Sequence, residues 1–146
     1  MRMLVKTAIA AGAALALAVP AQAQQDASCN VYSEVGGAMA DFMLPLSLKQ
    51  VSDLLAGRDQ VLASQMGESI VQKMPPSVLE TYANMPQEDA AILGEAAGLL
   101  AIDLIVSGRT SDGAEIRNFL TLGCNQAGSA QIIASYKQMM AANPGQ

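Results

Sequence analysis

Residues 129–142 read SAQIIASYKQMMAA, and this stretch decides the fold class. Ile132, Ile133, Tyr136, Met139 and Met140 recur at intervals of three and four, while Gln131, Lys137 and Gln138 fall between them. A helix turning once every 3.6 residues puts the apolar set on one face, whereas a strand would need strict alternation. Asn143-Pro144-Gly145 ends the pattern, because proline cannot continue a helix. The stretch predicts an amphipathic helix resting on a core.

Working towards the amino terminus, the same period recurs between breakers. Asp112 and Glu115 stand at the spacing of a capping box, and the helix they open carries Ile116, Phe119, Leu120 and Cys124 on one side. The longest helix is expected over 87–107, ended by Gly108. Pro75-Pro76 and Pro86 isolate a short helix over 76–84, with Pro76 at its first position, where a missing N–H costs nothing. Residues 58–73 carry Leu62, Met66 and Ile70 as an inner stripe, and residues 47–56 carry Leu48, Val51, Leu54 and Leu55, closed by Gly57. A first helix over 28–43 aligns Cys29, Tyr32, Val35, Met39, Phe42 and Met43. No segment reads as a strand: tryptophan is absent, Phe and Tyr number two and three, and good helix formers dominate. The fold class is all-α, a compact bundle of about five to seven short helices closed by one disulfide.

The first two dozen residues stand apart from that bundle. Arg2 and Lys6 precede an apolar run, Thr7 to Val19, then Pro20 and the small-residue motif Ala21-Gln22-Ala23. This is the pattern of a secretory signal, and the run is too short for the roughly 20 residues that span a bilayer. Residues 1–23 are read as a cleaved signal peptide and 24–146 as a single helical domain, exported to the periplasm of a Gram-negative-type bacterium and free of the membrane after cleavage. Gln25-Asp26-Ala27-Ser28 before Cys29 lacks the leucine-led box of a lipidated cysteine.

Cleavage removes Arg2 and Lys6, leaving six basic residues against thirteen acidic ones and a net charge of −7. Such a balance opposes nucleic acid and anionic lipid surfaces. Both cysteines survive cleavage and reach an oxidising space, where Cys29 and Cys124 have one intramolecular pairing. Free thiols or a linked dimer are the alternatives. Both cysteines sit on apolar helix stripes, so a bridge between them reads as a structural clamp rather than as redox chemistry.

Catalytic equipment is scarce. The chain has no histidine, the commonest general base and metal ligand. No catalytic, cofactor or metal residue is assigned, and no cofactor is expected. Seven methionines of the mature chain could offer thioethers to copper(I), but most lie at core positions of separate helices and none forms a Met-x-Met or Met-x-x-Met run. As polarisable side chains they also suit an adaptable apolar surface. Asp103 interrupts Leu99-Leu100-Ala101-Ile102-Asp103-Leu104-Ile105-Val106 and is the candidate for a pH-sensitive carboxylate if buried; with Glu88 and Glu95 it otherwise forms the wet face of its helix. Gly94 and Gly98 stand four apart among alanines, a spacing that lets another helix approach closely, within the bundle or in a dimer.

In general plan (exported, all-helical, one internal disulfide) the chain resembles the small periplasmic acid-stress chaperones. It is longer than those proteins, its cysteines lie further apart, and the resemblance assigns no residue a role. Three functions follow as expectations. The first is a non-enzymatic protein-binding or stress-related module, whether chaperone-like, inhibitor or immunity-type, with another periplasmic protein as partner and the chain a monomer or dimer. The second is a carrier of a small apolar ligand held between Met- and Leu-lined helices. The third is a carboxylate-based hydrolase, which would need two acidic residues converging in a cleft.

Overall fold

Most of the helices begin where the sequence supplies something to occupy or replace their first free N–H groups. The computed structural model describes residues 26–145, which include seven helices: α1 Ala27–Met43, α2 Leu48–Leu55, α3 Gln60–Lys73, α4 Pro76–Asn84, α5 Gln87–Val106, α6 Gly113–Ala127 and α7 Ser129–Ala142. Residues 1–23, expected from the sequence to be a signal peptide, lie outside that range. Asp26, Asp59 and Asp112 cap α1, α3 and α6 through their carboxylates, accepting from Ser28, Leu62 and Ala114 at 2.9–3.0 Å. Ser47 and Gln50 form a reciprocal capping box at the start of α2. The box expected between Asp112 and Glu115 does not close: Glu115 turns instead to the Thr110 hydroxyl at 2.6 Å. Pro76 takes the first position of α4.

Two helices end in the same way. Gly57 and Gly108 hold φ of +67° and +69°, and the residue after each donates back five positions, Arg58 to the Asp53 carbonyl and Arg109 to that of Leu104. These are Schellman closures, which need a left-handed residue that glycine adopts without strain. Pro45, Pro75 and Pro86 mark three further breaks, as their fixed φ and missing N–H require.

Helix α1 is the axis of the bundle. It packs against α3, α4, α5, α6 and α7, and its burial runs nearly all round: Val31, Ser33, Gly36, Gly37, Ala38 and Ala40 are buried as well as Cys29, Tyr32, Val35 and Met43. A single stripe therefore understates it. On one side Cys29, Tyr32 and Ala40 join Leu93, Ala97, Leu104, Ile116, Leu120 and Cys124. On the other, Val31 and Val35 meet Met74 and Val78. Two small cores share one helix.

Close approach makes this geometry feasible. A Cβ added at Gly36 would collide with Leu120 Cδ1 and press on Ala97, and one at Gly37 would collide with the Arg117 side chain. The Cys29–Cys124 disulfide joins α1 to α6 where their Cα atoms stand 5.5 Å apart, spanning 95 positions of sequence. Both sulfurs lie in the core with Leu93, Ile116 and Leu120.

The outer faces depart from the periodic reading in α2, where Leu48 and Leu55 are 87% and 52% exposed, and in two further helices. Phe119 is 51% exposed, and Met139 and Met140 are 46% and 41% exposed. Helices α6 and α7 each meet the bundle along a narrower line than their apolar spacing suggests, through Ile116, Leu120 and Cys124 in one and Tyr136 with parts of Ile132 and Ile133 in the other. Helix α3 buries no residue fully and α2 buries only Leu54, so this hairpin leans on the bundle rather than joining its core.

Candidate functional site

The residues singled out in the sequence do not converge. Cys29 and Cys124 are spent on each other. Asp103 is exposed on α5, so the burial that a pH-sensitive role would need is absent, and it belongs to the wet face of that helix. Among the described residues, no group of three His, Cys, Asp or Glu side chains is placed to hold a metal ion. No helix among them is long and apolar enough to cross a membrane.

What the fold does assemble is a groove. Where the hairpin leans on the bundle, α1, α3, α4 and α5 leave a half-open space of about 410 Å³ between them. Val35 and Met39 line it from α1, Gly67, Ile70 and Val71 from α3 with Met74 just beyond, Leu79 and Tyr82 from α4, and Ala90, Ala91, Gly94 and Glu95 from α5. Its volume lies within the roughly 300–1,000 Å³ typical of small-molecule sites, and its lining has the same predominantly apolar character. On the α5 side the space is lined by small residues, Ala90, Ala91 and Gly94. Gly94 has only Val35 near its missing side chain, with Val35 Cγ1 3.8 Å from an added Cβ. The Gly94/Gly98 spacing thus does two jobs: Gly98 receives the tip of Met39, while Gly94 leaves room in the groove.

Charges are placed mainly outside that space. Arg117 reaches across Gly37 from α6 to Glu34 and Asp41 on α1, at 3.1 and 2.9 Å. Partial burial would lower its pKa, but the two carboxylates outweigh that and hold it above its usual value. Lys137 on α7 lies 3.6 and 3.5 Å from Glu88 and Asp89 on α5. Asp26 accepts from Ser28 at the start of α1, and from the Ser129 N–H and hydroxyl at the start of α7, at 2.9 and 2.5 Å. Its partial burial pushes the carboxyl up, yet those hydrogen bonds prevail and hold it below the ordinary 3.8. Burial, then the neighbouring Glu95 carboxylate, push the Tyr136 hydroxyl up to about 12.

Glu95 is the exception to this segregation. It lines the groove, and among the described residues no Lys or Arg pairs with it. One carboxylate, one phenol and a wall of Met, Ile, Val, Leu and Ala can bind and orient a molecule. They provide no nucleophile with a base beside it, and no second carboxylate for paired acid–base work.

Comparison of the chain with protein-family models, curated proteins and solved structures found no match. The groove residues were not grouped by the sequence reading. Their one shared signal was the cluster of small residues on α5, which was read as close packing alone.

Proposed function

We propose that the mature chain is an exported, non-enzymatic binding protein of the periplasm that holds a small apolar ligand in the groove between α1, α3, α4 and α5. The observation that carries this reading is the groove itself, a space of about 410 Å³ with a wall of Met39, Met74, Ile70, Leu79 and Val35. Apolar area of this kind gains roughly 25 cal/mol for each Å² removed from water, so an apolar occupant is favoured. Two methionines in the wall suit occupants of varied shape. The signal-like amino terminus and the disulfide support export.

The test is to purify the exported protein and its Gly94→Leu variant, which fills the groove, and to extract both with organic solvent for mass spectrometry. Wild type should carry a small apolar compound, or bind a neutral environment-sensitive dye, and the variant should do neither. Equal contents and equal dye binding in both would remove the groove from consideration.

A second reading, a protein-binding module, has its own observation. Phe119 and Leu122 stand three apart on α6, on one exposed face, at 51% and 64% exposure. An exposed aromatic and leucine at helical spacing suit an apolar contact with another chain. Co-purification from the native periplasm at pH 7 and pH 3 tests it. One stoichiometric partner at neutral pH would mark an inhibitor or immunity-type module, and many clients in acid alone would mark a chaperone. A Phe119→Asp variant that keeps every partner would end this reading.

A further inference from the structure

We infer that the ligand of this groove is a cationic amphiphile, an alkyl chain or ring bearing an amine or quaternary ammonium head that pairs with Glu95. The inference rests on the groove being a ligand site and adds the chemistry of its occupant. Among the groove-lining side chains, Glu95 and Tyr82 alone carry an ionisable group, and neither is a cation. Glu95 has no cationic partner among the described residues. Arg117 on α6 and Lys137 on α7 are each already set between two other carboxylates. Lys73 precedes the groove residue Met74 but is exposed and does not line the space.

Three head groups can be compared on these facts. An anionic head, as in a fatty acid, would find no Lys, Arg or His in the lining and would face a like charge at Glu95. A neutral hydroxyl head could donate a hydrogen bond to the carboxylate but would gain no ion pair. An ammonium head gains an ion pair with Glu95, and Tyr82 adds an aromatic face of the kind that attracts ammonium groups. The net charge of −7 on the mature chain draws the same cation in from solution. The apolar wall then takes the rest of the molecule, so neither half of the ligand alone should bind as well.

The experiment is displacement of a neutral environment-sensitive dye from the exported protein at pH 7 and low ionic strength, where an exposed pair is least screened. The competitors are dodecylammonium, dodecanol and dodecanoate, the two ions below their micelle concentrations and the alcohol below its solubility limit. The chain has no tryptophan, so no indole emission overlaps the dye's signal. Wild type should release the dye to the ammonium at about three- to fivefold lower concentration than to the alcohol, with the carboxylate weakest. Glu95→Gln should erase the ammonium's advantage over the alcohol. Asp103→Asn, which removes an exposed charge from the same helix but outside the groove, should keep the advantage.

Equal competition by all three in wild type would overturn the inference and leave the apolar groove standing. So would a cation preference that survives in Glu95→Gln, because it would then belong to the net charge of the molecule. If Gly94→Leu binds the dye as wild type does, the groove reading itself falls and this inference with it.

Discussion

Gly36 and Gly98 look alike in the sequence, each a glycine inside a helix, yet they face different neighbours. A Cβ at Gly36 meets Leu120, which is fully buried, and the Ala97 Cβ and carbonyl at 3.3 Å. None of these can withdraw without moving α5 or α6. A Cβ at Gly98 meets only the Sδ and Cε of Met39, the free end of a half-buried side chain. Replacing glycine by alanine inside a helix gains up to about 1 kcal/mol from propensity, whereas overpacking a filled core costs about 1–3 kcal/mol. Gly98→Ala should therefore raise the urea midpoint or leave it unchanged, and Gly36→Ala should lower it. If both variants shift the midpoint upward, α1 does not approach α6 as closely as described. Such differences lie beyond what spacing alone can reveal. The Gly36-Gly37 pair stood in plain view, but a stripe analysis that follows large apolar residues passes over positions whose importance is the space they leave empty.

At the scale of elements, legibility divides between ends and faces. Helix ends were readable because their causes are local: Ser47 with Gln50, Asp59, Pro76 and Gly57 each act on backbone within a few residues. Faces were less so, since burial depends on where the other helices go. Helix α1 is enclosed because α3 and α4 cover the side that α5 and α6 leave open. Phe119 and Met139 remain about half exposed because no described element covers them fully. The groove was unreadable for the same reason, being a gap among four helices rather than a property of one. The α2–α3 hairpin follows from this division: its ends are well capped, but only Leu54 is fully buried, and Leu48 is 87% exposed. Opening it exposes little apolar area, so it should open on its own, well below the global unfolding energy. Hydrogen exchange should show residues 60–73 exchanging far faster than residues 29–43 and 116–124 in the native state. Uniform protection across these segments would mean that the hairpin folds as one unit with the bundle.

The whole molecule is closed at one end by two devices of different kinds. The Cys29–Cys124 bridge spans 95 positions, and constraining a loop of that length in the unfolded chain stabilises the fold by about 4–5 kcal/mol on the chain-entropy model. That is a large fraction of the 5–15 kcal/mol typical of a domain, so Cys29→Ser/Cys124→Ser should lose much of its cooperative thermal transition, as followed by circular dichroism. Three residues before Cys29, Asp26 makes the second closure, binding Ser129 across 103 positions while it caps α1. This closure depends on pH. The hydrogen bonds hold the folded carboxyl below 3.8, so on acidification the unfolded chain takes up the proton first. The stabilisation from Asp26 is complete above the unfolded value and is lost as pH falls through the lower folded one. Asp26→Ala should accordingly cost about 1–2 kcal/mol at pH 7, the loss of two helix caps, and the gap from wild type should close below about pH 4. A gap that stays constant from pH 7 to pH 2 would show that the carboxylate charge plays no part in the closure. Because the disulfide does not titrate, it masks this loss in the wild type. The double-serine variant, left with Asp26 as the remaining closure at that end, should unfold in acid at a higher pH than wild type, and adding Asp26→Ala should remove most of that difference in acid sensitivity by lowering the variant's stability already at neutral pH.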